Sequence, residues 1–185
     1  MPSRGWTQAL AVIALALVMS VVLATSVPLI DPDEGRNAEV AREMVERGDL
    51  VIPHLAGMPY LDKPPGLFWG AAAAIRVLGP IPLAARMPAI LAACLTLLLL
   101  ARAALREADG AFAVRLVALT AAAPLFAILS AYVIFDMPLT LCVTVVWTGL
   151  ARELGAGASP GGRAALFLAM ALCILLQGPV MVAWA

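Results

Sequence analysis

Two neighbouring charged stretches decide how this chain folds: DPDEGRNAEVAREM at residues 31–44 and YLDKPPGLFW at residues 60–69. Eight of the twelve acidic residues lie between Asp31 and Asp62. The chain as a whole is strongly apolar, with 63% hydrophobic and only 13% charged residues among 185. Soluble domains carry about 25% charged residues. The composition therefore excludes an ordinary soluble domain and indicates a membrane protein whose chemistry is concentrated in one loop.

Long apolar runs outside these stretches predict an all-α, polytopic transmembrane protein with about five spans. The spans are expected at about residues 6–29, 83–101, 111–131, 137–150 and 164–185, with a long loop at 31–82. The first run also resembles a signal peptide. It is longer than the roughly 7–15 residues of a signal-peptide core, so a retained helix is favoured. The chain stops inside an apolar run, as expected for the front part of a longer protein.

The short connections predict the orientation. Arginines at positions 4, 102, 106, 152 and 163 all fall on one side of the predicted spans, which the positive-inside rule makes cytoplasmic. The long loop and Asp136 then lie on the outer face. A Gly-, Ser- and Pro-rich segment at 152–163 predicts a hairpin loop, and Pro124 predicts a kink in the third span. The net charge of zero gives no reason to expect nucleic acid as a partner.

The long loop carries a helical pattern of its own. Residues 34–45 alternate apolar and charged faces as an amphipathic helix does, with Asp31 or Asp33 as its N-cap and Gly48 as its stop. Pro64-Pro65 predicts the start of a second, strongly apolar helix. Helices of this kind can lie in the membrane interface and contact its lipids.

Three carboxylates are predicted to converge at one membrane surface. Asp33 and Glu34 follow the first span, and Asp136 follows the third. Ionisable groups next to hydrocarbon are costly, and a carboxylate there can accept a proton from an attacking hydroxyl, bind a metal or hold a basic partner. Alternatively, Asp33 caps a helix and Asp136 is a solvated turn residue. Spacing alone leaves both interpretations open.

Two basic residues lie at the same surface. Arg36 and Lys63 can bind a phosphate, Arg36 through its planar fork and Lys63 as a point charge. Equally, they can pair with the loop's own acids, such as Asp62 or Glu39. The remaining reactive side chains favour plain structural roles: His54 as a surface residue, and Cys94, Cys142 and Cys173 as small buried apolar groups, since their spacing fits no metal or disulfide pattern.

The order of these residues resembles a known family. DEGRNAEVAREM at 33–44, Gly48-Asp49, Pro53 and YLDKPP at 60–65 are similar to the first outer loop of membrane glycosyltransferases of the type C fold, glycosyltransferase family 39-like. That family comprises the bacterial aminoarabinose–lipid A transferases and relatives of protein O-mannosyltransferases. Asp136 and Gln177-Gly178-Pro179 extend the resemblance more weakly. The resemblance implies transfer of a hexose or pentose from a polyprenyl-phosphate donor to a lipid, protein or glycan acceptor, at the outer face of the bacterial inner membrane.

The resemblance also implies roles for individual residues. Asp33 corresponds to a loop aspartate that acts as general base or orients the acceptor hydroxyl, with Glu34 as its motif companion and Asp136 as a second acidic position. Lys63 corresponds to a lysine that binds the donor phosphate, assisted by Arg36.

Three positions depart from the family pattern. Asp62 replaces a glutamate linked to metal binding, which implies a divalent ion there with a shorter side chain to hold it; no organic cofactor is implied. Asn37 replaces a commoner tyrosine, and Gln177 stands where many relatives have a lysine.

Two other functions remain open from the sequence: a transporter segment and a non-catalytic membrane protein. Transporters tend to carry charges within their spans and to show internal repeats, whereas here the charges cluster in one loop. Family members contain further spans and a C-terminal outer domain that these 185 residues lack. The chain by itself is therefore expected to hold only part of an active site.

Overall fold

The computed structural model describes residues 4–156 and 160–178, which are almost entirely helical. Its helices are α1 (Arg4–Ser26), α2 (Asp33–Arg47), α3 (Gly66–Leu78), α4 (Pro82–Glu107), α5 (Gly110–Ala122), α6 (Pro124–Leu129), α7 (Asp136–Ala156) and α8 (Pro160–Gln177). Two short strands, β1 (His54–Leu55) and β2 (Met58–Pro59), pair antiparallel in the long loop. The all-α prediction is confirmed, while the hairpin was not foreseen.

Within the described residues, α1, α4 and α8 are long and apolar enough to cross a membrane by length and composition. α1 turns large apolar side chains outward, with Leu15 64% and Val18 56% exposed. Such a surface fits lipid chains and does not fit water. The protein is a polytopic helical membrane protein, as predicted.

α4 is the central helix of the bundle. It packs against α1, α3, α5 and α7, and 50% of its most apolar stretch is buried, compared with 22% for α1. Its buried face consists largely of alanines, which allow neighbouring backbones to approach closely. α4 therefore determines where the surrounding helices lie, including those that carry the candidate site.

The later helices differ in extent from the predictions. The third predicted span is divided into α5 and α6 at Pro124, which lacks the N–H needed to continue α5. The hairpin loop predicted at 152–163 is wrong for most of its length, because α7 continues to Ala156 and α8 begins at Pro160. A proline is well tolerated at a helix start, where its missing N–H has no partner to lose. The fifth predicted span extends past residue 178, outside the described residues, and the crossing of all five remains a prediction.

The long loop folds as two helices, as the sequence predicted. α2 ends at Gly48, whose left-handed backbone (φ 69°) lets its N–H bond the Met44 carbonyl. The predicted N-cap is wrong: Pro32 occupies that position, and neither Asp31 nor Asp33 caps the helix. α2 buries Val40, Ala41 and Met44 against the rest of the protein. The loop is thus a packed unit that presents the first turn of α2 at one end of the bundle.

Candidate active site

The centre of the site is a buried ion pair between α2 and α4. Glu34 is 0% exposed and Arg86 is 1% exposed. Arg86 Nε donates to Glu34 Oε1 at 2.6 Å, and Arg86 Nη2 donates to Glu34 Oε2 at 2.6 Å. Two parallel charge-assisted bonds of this kind fix both the distance and the relative orientation of the two side chains. The first turn of α2 is therefore held firmly on α4.

Arg86 also holds the end of α1. Its Nη1 donates to the carbonyls of Ala24 and Val27, each at 2.7 Å, and its Nη2 donates to the Pro28 carbonyl at 3.0 Å. The last carbonyls of a helix lack partners within the helix, and a cation there is also favoured by the helix dipole. A single guanidinium thus joins three elements. Arg86 is a functional residue missed from the sequence, although an arginine inside an apolar helix is a signal that could have found it.

The same turn of α2 holds the segment that leads into α7. Glu34 Oε1 accepts a hydrogen bond from the Val133 N–H at 3.0 Å, and Asn37 Nδ2 donates to the Val133 carbonyl at 2.8 Å. Residues three apart share one face of a helix, so both side chains reach the backbone of the same residue, Val133. Asp136, the first residue of α7, follows three positions later. The clamp on Val133 therefore sets where Asp136 lies relative to α2.

The geometry favours a positioning role for Glu34 over the catalytic role predicted from the motif. Besides the Arg86 fork and the Val133 N–H, its Oε2 accepts from the Ile30 N–H at 2.9 Å. Both carboxylate oxygens are thus occupied inside the protein, with no exposure to a substrate. Removing a proton from an acceptor would require this network to break.

Asp33, the preceding residue, lies on the outside of the same turn. Arg36 Nη2 donates to Asp33 Oδ1 at 2.5 Å, and the side chains are 37% and 55% exposed, respectively. Exposed pairs contribute only about 0–1 kcal/mol, so this one can exchange partners at little cost. Arg36 Nε is buried and has no hydrogen-bond partner among the described residues. Arg36 is therefore only partly satisfied and can accept a further anionic ligand.

Lys63 reaches the residue next to Asp136. Its Nζ lies 5.8 Å from the centre of the Phe135 ring, within the range of a cation–π contact. Phe135 in turn packs edge-on against Phe68, and Phe68 against Tyr60. No acid in the described part of the chain forms an ion pair with Lys63. The aromatic contacts thus bring the YLDKPPGLFW stretch to the start of α7.

Tyr60 adds a polar group next to Asp62. Its hydroxyl donates to Asp62 Oδ2 at 3.2 Å. Burial raises the pKa of Tyr60; the charge of Arg36 lowers it, and Asp62 and Asp33 raise it again. The net rise keeps the phenol protonated at neutral pH as a hydrogen-bond donor.

The family resemblance connects Asp62 with a divalent metal ion. Asp62 is exposed, and the described residues contain no cluster of three His, Cys, Asp or Glu side chains suited to a metal ion. Divalent ions such as Mg²⁺ are held by protein carboxylates together with waters and substrate oxygens. The metal therefore stays a prediction from the family resemblance.

The end of α8 lies beside the Lys63 loop. A Cβ on Gly66 would stand 2.6 Å from the Leu175 carbonyl oxygen, so α3 and α8 approach too closely for a side chain there. A Cβ on Gly178 would lie 4.0 Å from Pro64 Cγ. Gln177 Oε1 is buried without a partner among the described residues. Gln177 and Gly178, which carry a weaker part of the family resemblance, thus lie next to the YLDKPP stretch, which carries a stronger part.

No protein-family model matches the chain, but individual proteins of similar sequence are found. The chain is 33% identical over 193 residues to an undecaprenyl phosphate-alpha-4-amino-4-deoxy-L-arabinose arabinosyl transferase of Pseudomonas aeruginosa, covering 98% of this chain and 35% of that protein. It is 32% identical to the enzyme of the same name from Edwardsiella ictaluri, over 80% of this chain and 27% of that protein.

Solved structures give the same result for the fold. The crystal structure of ArnT from Cupriavidus metallidurans bound to undecaprenyl phosphate matches with a TM-score of 0.83 at 29% identity, covering 98% of this chain and 34% of that one. The apo form of the same protein matches with a TM-score of 0.82. The chain thus spans about a third or less of the length of these proteins. In both sequence and fold, it is a relative of the undecaprenyl phosphate-aminoarabinose transferases, which are polytopic membrane glycosyltransferases.

Proposed function

We propose that this protein transfers a sugar from a polyprenyl-phosphate donor to a lipid, protein or glycan acceptor at the outer face of the bacterial inner membrane. The names of its relatives support an aminoarabinose-type pentose as the sugar and undecaprenyl phosphate as the carrier, and a similar solved structure holds undecaprenyl phosphate. The family resemblance supports lipid A as the acceptor. The long loop then lies on the periplasmic side.

Two observations support this proposal: Arg36 is incompletely satisfied, and Lys63 forms no ion pair with any acid in the described part of the chain. The buried Arg36 Nε has no described partner, and a buried donor left without one costs about 1–3 kcal/mol. A donor phosphate supplies acceptor oxygens for Arg36 and a counter-charge for Lys63. Arginine forks and lysine ammonium groups are both suited to phosphate. The two cations therefore form the proposed binding site for the donor phosphate.

The same geometry suggests how donor binding prepares the base. Asp33 is paired with Arg36 at 2.5 Å. When Arg36 turns to the donor phosphate, the Asp33 carboxylate loses that partner and becomes available to the acceptor hydroxyl. Asp33 then accepts the hydroxyl proton as the oxygen attacks the anomeric carbon. Asp136, held beside α2 through the Val133 clamp, is proposed to orient the acceptor.

The leaving group is the polyprenyl phosphate. As the bond between the anomeric carbon and the phosphate oxygen breaks, negative charge grows on the phosphate. Lys63 and Arg36, once Arg36 has turned to the phosphate, stabilise that charge, and electrostatic stabilisation of this kind is a main source of catalysis at such sites. The lipid tail of the donor remains in the bilayer throughout, because the site lies at the membrane surface.

The phosphate site predicts weaker donor binding when its cations are removed. Lys63→Met and Arg36→Met are each expected to raise the Kd for undecaprenyl phosphate at least about tenfold, since a charge-assisted hydrogen bond contributes about 1.5–3 kcal/mol. Binding is measured on the protein at its full encoded length in nanodiscs. Arg76→Met, at the exposed end of α3, is the matched control and should leave the Kd unchanged. Equal affinity in all three variants and the unaltered protein would overturn the assignment of this phosphate site.

A further inference from the structure

We infer that the end of the bundle opposite the candidate active site binds the phosphate headgroup of an anionic phospholipid. A cavity of about 940 Å³ lies there between α4, α7 and α8. Its walls carry three arginines, Arg102 and Arg106 from α4 and Arg152 from α7. None of these residues takes part in the proposed transfer reaction, so this site is independent of the proposed function.

The charge of the cavity selects an anion. Glu107 is the one acidic residue in the described lining, and no ion pair joins the three arginines to any acid whose side chain the structure describes. Like charges brought together in a partly enclosed space repel each other more strongly than in open water. A phosphate relieves that repulsion, and its oxygens accept hydrogen bonds from the paired N–H groups of arginine.

The walls of the cavity select an amphiphile over a free anion. Leu99, Trp147 and Leu166 provide apolar surface next to the arginines. Trp147 is 65% exposed, and tryptophans are enriched where membrane hydrocarbon meets the headgroups. An acyl chain can lie along this apolar wall while the phosphate contacts the guanidinium groups. Inorganic phosphate satisfies only the second requirement.

The level of the cavity along the spanning helices agrees with the position of lipid headgroups. Sixteen residues separate Arg86 from Arg102 along α4, and sixteen separate Asp136 from Arg152 along α7. At a rise of 1.5 Å per residue, both helices place these arginines ~24 Å from the candidate active site. That distance is close to the hydrocarbon thickness of about 30 Å. Basic pockets between spanning helices are known to hold anionic headgroups at this level.

The test compares bound lipids by native mass spectrometry on the protein at its full encoded length. It is exposed in turn to phosphatidylglycerol and to phosphatidylcholine with the same acyl chains. The unaltered protein is expected to retain at least about fivefold more phosphatidylglycerol, as expected for a basic pocket. The triple variant Arg102→Gln, Arg106→Gln, Arg152→Gln should lose that preference. Arg115→Gln, on the exposed side of α5, is the control and should keep it.

Two further measurements distinguish binding of a lipid headgroup from a folding defect and from binding of free phosphate. The triple Arg→Lys variant keeps the charges and should keep most of the preference, and the glutamine variant should keep the unfolding temperature of the unaltered protein, which excludes misfolding as the cause of the loss. Millimolar inorganic phosphate should fail to displace the bound lipid. The proposal is overturned if the unaltered protein shows no preference for phosphatidylglycerol. This result is expected if protein, and not lipid, fills the cavity. The proposal is equally overturned if the glutamine variant keeps the preference, the lysine variant loses it, or phosphate displaces the lipid completely.

Discussion

Arg86→Met is expected to lower the free energy of unfolding by about 3–5 kcal/mol, because removing one partner of a buried ion pair leaves the other charge without compensation. Glu34 would remain 0% exposed with its carboxylate deprived of both guanidinium bonds. The carbonyls of Ala24, Val27 and Pro28 would lose their donor at the same time. The loss is measured by thermal or denaturant-induced unfolding in detergent micelles.

A second substitution distinguishes the ion pair from simple packing. Glu34→Gln in the Arg86→Met background removes the unpaired charge but keeps an oxygen for the Val133 N–H. The double variant is therefore expected to recover more than half of the lost stability. Arg115→Met, an exposed arginine of α5, is the matched control and should change stability by less than about 0.5 kcal/mol. If Arg86→Met is no more destabilising than Arg115→Met, the pair does not hold α2 in place.

Asp33→Asn is expected to lower the turnover of sugar transfer by about 10²–10⁴-fold, the usual contribution of a general base. Asparagine has nearly the same shape but cannot accept the hydroxyl proton at neutral pH. Because the substitution also frees Arg36 from its partner, the affinity for the polyprenyl-phosphate donor should stay the same or increase. The expected result is therefore a fall in kcat without a rise in the KM for the donor.

The control for Asp33→Asn is Asp49→Asn in the same loop. The Asp49 carboxylate accepts hydrogen bonds from the backbone N–H groups of Val51 and Ile52, an arrangement that an asparagine oxygen can largely reproduce. Turnover in this variant should remain within about twofold of the unaltered protein, as for a surface change away from the site. Comparable turnover in Asp33→Asn and Asp49→Asn would remove Asp33 from the role of base.

The structure separates two neighbours that the sequence could not distinguish. Asp33 and Glu34 are both acidic residues in the same motif, but successive positions on a helix point about 100° apart. Glu34 turns into the protein and meets Arg86, whereas the side chain of Asp33 remains 55% exposed. Of the two, only Asp33 can reach an acceptor without disrupting the core. We therefore propose that Asp33 is the base and that Glu34 positions the turn that carries it.

Much of the fold followed from local patterns. The apolar runs predicted helices at α1, α4 and α8, and the face of small and apolar residues together with Gly48 predicted α2 and its end. The contacts that build the site were beyond such patterns. Glu34 meets a partner 52 residues away and a backbone amide 99 residues away, and no local periodicity encodes pairings at that separation.

The wrong predictions also arise from tertiary contacts that local sequence patterns do not encode. The Gly-, Ser- and Pro-rich stretch suggested a loop at 152–163, but packing between α7 and α8 extends both helices into it. Tertiary contacts commonly override weak local preferences of this kind. Likewise, Asp33 was predicted either as an N-cap or as a reactive carboxylate, and the structure removes the first alternative because Pro32 occupies the cap position.

The central claim is that this protein cleaves a polyprenyl-phosphate sugar at the outer membrane surface. The most direct measurement follows a doubly labelled donor, with separate labels on the sugar and the lipid, in proteoliposomes containing the protein at its full encoded length and an acceptor. We expect one polyprenyl phosphate to be released for each sugar transferred. Release and transfer should fall together, by about 10²–10⁴-fold in Asp33→Asn and by about tenfold at subsaturating donor in Lys63→Met, and both should be unchanged in Arg76→Met. Movement of the intact donor across the bilayer without cleavage would contradict it and favour a transporter.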